Sequence, residues 1–428
     1  MRLHGWRRFV LTMALALGAA GWVFPASGAE PVSITFWHGM SGVLNPAIDA
    51  LTADFNKLNP GIMVNAQYQG SYATSGSPYR QKLIAAAAAG NPPTLAQVFP
   101  NYTDQLSQAN ALVPMEKFVK GPDGLSEAEL ADIVPALRQA NTFNGVLWTM
   151  PFNKSLNLLF FNADLLRQRG LTVPQTWDDL RTVAKTLTQE EGGRVTRYGF
   201  VVRPTADYFF VMLLTNGGEF LRSEKEVAFN SPAGVEALQF LVDLVNKDKV
   251  AYILPGFADA DLGAGRVAMY FATNPGLAFA KEAVAGRFAV GLALLPYRKI
   301  RATLLTGTDL AIFAKATPEQ QLAAWKYVKF LTSPVGTARW SVRTFYMPVR
   351  QSALNSTLMQ VALRQDPDLR AGIDSVLLAK TEPGVAEWQE IRDTVDSAVE
   401  AALFGKMTPK EALDAAAAKA NRLLAQRK

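Results

Sequence analysis

The chain of 428 residues has no cysteine. That excludes disulfides, thiolate metal sites, cysteine nucleophiles and a lipid anchor on an N-terminal cysteine. Histidine is nearly as scarce: His4 and His38 are the two in the chain, and His38 alone lies beyond the N-terminal segment. A Cys–His pair and a multi-histidine metal centre are therefore both excluded. Past that same segment, no apolar run reaches the roughly 18 uninterrupted residues of a membrane span. Basic runs with interleaved aromatics are also missing, which argues against nucleic acid as a partner. No G-x-S-x-G elbow, P-loop or G-x-G-x-x-G stands between a strand and a helix. Carboxylate chemistry is the enzymatic route that remains. A glycosidase would need two carboxyls facing one cleft at about 5 to 9 Å, and no motif supports one.

What is present is an ordinary globular composition, 49% apolar and 19% charged, preceded by an unusual leader. "MRLHGWRR" is basic, "FVLTMALALGAAGWVF" is apolar, and "PASGA" places small residues Ser27 and Ala29 at −3 and −1. This pattern reads as a secretory signal peptide, residues 1–29, cut before Glu30. Three of the 43 basic residues fall in it, so the remainder nearly balances the 37 acidic ones. With no lipid anchor, the expected location is the periplasm, and the protein is not expected to be embedded in the membrane.

Beyond the leader, strand-like runs alternate with helical patterns, the signature of an α/β fold. "VSITFWH" alternates as a strand, and Asn45-Pro46 reads as N-cap and first turn of a helix carrying Ile48, Leu51 and Phe55 on one face. "IMVNAQYQ" is the next strand, Ser77-Pro78 opens a second helix, and "TLAQVF" is a third strand. Such an order predicts a parallel sheet with right-handed crossovers. Capping boxes at "TWDD", "TPEQ" and "TPKE" mark three later helix starts. The length exceeds one small core, so two lobes are expected.

The order of these blocks resembles the extracellular solute-binding proteins of ABC importers. "ITFWHGMSG…ALTADFNKLNPGIMVNAQYQGSY", "AAAAGNPPTLAQVF", "MPFNKSLNLLFFNADLLRQRGLTVPQTWDDL", "GRVAMYFATNPG" and "TPKEALDAAAAKANRLL" carry the likeness. "FWHGM", "QYQGSY" and "FYMPV" point to the glycerol-3-phosphate-binding branch. The resemblance implies a type II periplasmic-binding fold, each lobe a mostly parallel sheet flanked by helices, with a ligand cleft between lobes that closes about a hinge. It implies lobes of 30–150 with 304–340 and of 151–303 with 341–428. It further implies a monomer without enzymatic activity, cofactor or metal, whose partners are a small phosphate ester and permease subunits. A neutral oligosaccharide is the alternative ligand.

Carried over position by position, the resemblance implies ligand contacts at Tyr72 of "QGSY", Ser155 after "PFN", Thr273 and Asn274 of "AMYFATN", Gly307 of "LLTGTD", Tyr346 of "FYMPV" and Arg392 of "WQEIR". Gly307 would let the ligand reach a backbone N–H. Arg392 would grip phosphate with its planar fork, and as a surface arginine near Glu390 and Asp393 it is expected to matter little to stability. Trp37 is expected to wall the cleft, with His38 a rim or core residue beside it. Two departures stand out. The branch's acidic residue falls at Pro100, with Asn101 and Asp104 as unaligned substitutes. Lys154 and Arg203 stand where a small residue and an apolar ring are usual. Together these predict a cleft with surplus positive charge.

Overall fold

The computed structural model describes residues 30–71, 77–143, 145–366 and 368–426. The segment read as a signal peptide and the candidate Tyr72 both lie outside the described residues. The strand Val32–His38 buries Ile34, Phe36 and His38 on one face, as its alternation requires. It pairs in parallel with Ile62–Tyr68 on one side and with Leu95–Val98 on the other. The helix Asn45–Leu58, which links the first pair, buries Ile48, Leu51 and Phe55. Asn45 is the first residue of that helix and not its cap; its amide bonds the Asp49 carboxylate at 2.6 Å.

Two long strands join the halves of the molecule. Met150–Asn162 is buried at every position but the last. Thr303–Phe313 lies antiparallel against it and pairs on its other edge with Leu95–Val98. Beyond them, Val267–Thr273 pairs antiparallel with Met150–Asn162 and parallel with Arg194–Val202, and Ala251–Ile253 closes the edge in parallel. The sheet is mostly parallel on both sides of this antiparallel junction.

The apolar cores divide at the junction. One gathers Phe36, Phe55, Phe152, Leu310, Ile312 and Trp340. Another gathers Leu159, Phe200, Phe271, Leu304, Trp388 and Leu413. Each long strand thus has one end in each core, which is the two-lobe architecture with crossing strands at its waist. Three capping boxes form as expected, at Thr176, Thr317 and Thr408. A fourth, Ser126 with Glu129, has the same reciprocal bonds and is equally readable from "SEAE".

Candidate functional site in the interlobe cleft

A cleft of about 1740 Å³ opens at the waist. Its floor is the crossing strands, where Thr306 faces Ser155 and Gly307 faces Lys154 across the ladder. The two hydroxyls lie 2.9 Å apart, a pair of adaptable donors and acceptors. Gly307 has φ +105°, and a Cβ there would meet the Asn153 carbonyl at 2.1 Å. The missing side chain therefore makes room for the neighbouring strand, where a bulge shifts the register, and Gly307 itself lines the cleft.

Lys154 is 1% exposed and lines the cleft, yet its ammonium is already matched: Asp309 lies 2.5 Å away. Burial pushes the Asp309 carboxyl up to about 6, against the pull of Lys154. The surplus charge expected from Lys154 is thus absent, because its counter-ion sits on the facing strand.

The far wall holds Arg392, and it is no surface residue. Its guanidinium reaches Asp207 at 2.7 Å and also binds Glu382. Burial pushes the Glu382 carboxyl up against the pull of Arg392. For Asp207 burial acts in the same direction, but the guanidinium outweighs it and holds that carboxyl below the usual range. Glu390 and Asp393 are not its partners; Asp393 accepts from Gln389 at 2.8 Å.

Arg203, 8% exposed, also lines the cleft. Its guanidinium lies over the Phe257 ring, 4.5 Å from the centroid. No ion pair among the described residues includes it, and its Nε is buried without a hydrogen-bond partner. Thr273 is half-buried at the end of its strand and lines the same cavity. Tyr346 lines it too, stacked on Trp340 with its hydroxyl bonded to Asn153; burial pushes that hydroxyl up to about 12.

Two candidates lie elsewhere. Asn274 is 3% exposed and spent on backbone: its Oδ1 accepts from Leu156 N at 2.8 Å and its amide donates to the Phe345 carbonyl. Trp37 is outside the cleft lining, packs beside Tyr79 and Leu83, and donates its Nε1 to Gln67 at 3.0 Å. Pro100 does line the cleft, as the first residue of the helix Pro100–Gln108. Asn101 bonds Gln389 across the cleft, and Asp104 accepts from Gln108 at 3.0 Å. Reading the sequence missed Thr306, Asp207, Glu382 and Phe257. Asp207 alone left a signal, four residues after Arg203 in "RPTAD".

His38 ends its strand at 1% exposure, with Nδ1 buried and unpartnered. Burial pushes its imidazole down to about 4. The unfolded chain takes up this proton near pH 6.5, whereas the folded protein resists until about 4. Stability is therefore lost as pH falls through that window, by about 3 kcal/mol if the shift is fully expressed. Denaturant midpoints at pH 7 and pH 4 should fall less in His38→Gln than in wild type, with Asp309, which titrates the opposite way, cancelling in the comparison. Equal falls would contradict this.

Among the described residues no helix is long and apolar enough to cross a membrane. A family model described as bacterial extracellular solute-binding protein matches residues 50–371. The sn-glycerol-3-phosphate-binding periplasmic protein UgpB of Shigella dysenteriae is 26% identical over 434 residues, covering 96% of each chain. A solute-binding protein of an ABC transporter from Thermotoga lettingae, solved with alpha-D-tagatose, is 26% identical with a TM-score of 0.80, covering 92% of this chain and 100% of that one. UgpB from Mycobacterium tuberculosis, solved with glycerophosphocholine, has the same TM-score of 0.80 at 22% identity and covers 94% of this chain and 99% of that one. With this two-lobe fold, its waist cleft and a family match over most of its length, the chain belongs to the bacterial extracellular solute-binding proteins and is a solute-binding component of an ABC importer.

Proposed function

We propose that this protein captures glycerol 3-phosphate or a related glycerophosphodiester in the interlobe cleft, in the periplasm after removal of residues 1–29, and delivers it as a monomer to its permease. The lobes in this reading are 30–150 with 304–340 and 151–303 with 341–428, and they close on the ligand about the crossing strands. One observation carries the phosphate-ester reading. The cleft presents a buried guanidinium, Arg203, that is in no ion pair among the described residues. A buried cation without a counter-ion is costly, and an anionic ligand removes that cost. The Ser155 and Thr306 hydroxyls on the floor suit the polar remainder of such a ligand. Binding to Arg203 requires no cofactor and no bond-breaking step.

Calorimetric titration of the mature protein with glycerol 3-phosphate, glycerophosphocholine, maltose and trehalose tests the reading. At least one ester should bind without turnover. A second reading, a neutral sugar ligand, draws on the exposed Phe257 ring in the cleft lining and on the sugar-bound relative from Thermotoga lettingae. Binding of a sugar with no binding of either ester would establish it over ours.

A further inference from the structure

Two guanidiniums of the cleft share one kind of environment and come from opposite ends of the waist. Arg203 lies over Phe257 at 4.5 Å, and Arg80 lies over Tyr102 at 5.9 Å, each measured to the ring centroid. Each has its Nε buried without a hydrogen-bond partner, and neither is in an ion pair among the described residues. Both line the cleft. The other cations there differ: Lys154 is spent on Asp309, Arg392 on Asp207 and Glu382, and Lys380 is exposed. Asp207 and Asp259 feel the charge of Arg203 without pairing to it. Asp259 is bonded to Tyr270 at 2.7 Å, and Asp104, two residues beyond Tyr102, is bonded to Gln108.

Arg80 sits in the first turn of the helix Pro78–Ala88, where the Ser77 hydroxyl accepts from its backbone N–H. Its neighbours Tyr79 and Leu83 pack with Ala311 and Phe313, at one end of the crossing strand Thr303–Phe313. Arg203 follows the strand Arg194–Val202, and Val202 packs in the core that holds Leu304, at the other end. Leu304 and Ala311 are about 23 Å apart along an extended strand rising about 3.3 Å per residue.

From this we infer, building on the phosphate-ester reading above, that the ligand carries two anionic groups, its phosphate on Arg203 and a second oxyanion at its other end on Arg80. Each ring covers one face of its guanidinium and leaves the edges free to fork onto two oxygens. A buried N–H without an acceptor is costly, so a ligand whose far end reaches the Arg80 Nε is favoured over one that stops short. A hydroxymethyl group at that end offers one neutral oxygen. A carboxylate offers two charged ones in the plane that a guanidinium matches.

The matched probes are glycerol 3-phosphate and 3-phosphoglycerate, in which one hydroxymethyl group becomes a carboxylate. Titrated by calorimetry into wild type at pH 7.5, 3-phosphoglycerate should bind about tenfold tighter or more. Arg80→Gln should weaken 3-phosphoglycerate about thirtyfold and erase the preference, while the melting temperature stays within a few degrees of wild type. Arg80→Lys should restore part of the loss, because the charge returns without the fork. Arg203→Gln should weaken both probes and keep the preference. Equal affinity of the two probes in wild type, or a preference that survives Arg80→Gln, would overturn this inference and leave the phosphate-ester reading standing. Failure of both probes and of glycerophosphocholine to bind wild type would remove both.

Discussion

Arg392→Ala should unfold about 1–3 kcal/mol more easily than wild type, because the arginine is the shared partner of two carboxylates in a partly buried ion group. The reason is the company the arginine keeps. Asp207 and Glu382 are held by its two nitrogens, and alanine would leave Glu382 without its cation and Asp207 with the field of Arg203 alone. Glu382 would then meet its burial penalty alone and take up a proton more readily. Chemical denaturation at neutral pH measures the loss. Adding Glu382→Gln to Arg392→Ala should recover part of it, since one orphaned charge is gone. A variant as stable as wild type would return Arg392 to the exposed, weakly coupled role that its neighbours in sequence suggest.

Lys154→Met should cost more, about 3–5 kcal/mol, whereas Lys154→Met with Asp309→Leu should come close to wild-type stability. Lys154 and Asp309 are 1% and 0% exposed on facing strands. Leaving Asp309 alone strands a charge, but replacing both with apolar groups of similar volume removes two desolvation costs together with their attraction. The pair therefore contributes placement more than energy: it fixes how the crossing strands sit against each other beside the bulge. A double variant as unstable as the single one would show that the polar surroundings, and not the charge imbalance, set the cost.

What could be read from the sequence follows the range of the interactions. Capping boxes span four residues and were legible at Thr176, Thr317 and Thr408. Strand–helix alternation gave the parallel order of the first lobe, because each connection there is local. Of the candidate site residues, Lys154, Ser155, Arg203, Thr273, Gly307, Tyr346 and Arg392 line one cavity, while Asn274 and Trp37 do not. The electrostatic partners were illegible. Asp207 lies 185 residues from Arg392, and Asp309 reaches Lys154 only through strand pairing. Without Asp309, Lys154 looked like a spare charge. The packing reason for Gly307 was illegible in the same way: the atom that forbids a side chain there belongs to Asn153, on another strand.

The first core also sets an order of events during folding. It joins residues near Ile34 to Leu310, Ile312 and Trp340, so it cannot close until most of the chain has been synthesised. Contacts that distant form slowly, because loop closure must precede the gain from packing. The second core likewise needs Trp388 and Leu413 from near the C-terminus. The first half therefore waits for residues up to Tyr346, and the second for residues up to Leu424. For the exported protein proposed here, that delay favours a polypeptide still threadable while most of it is being made.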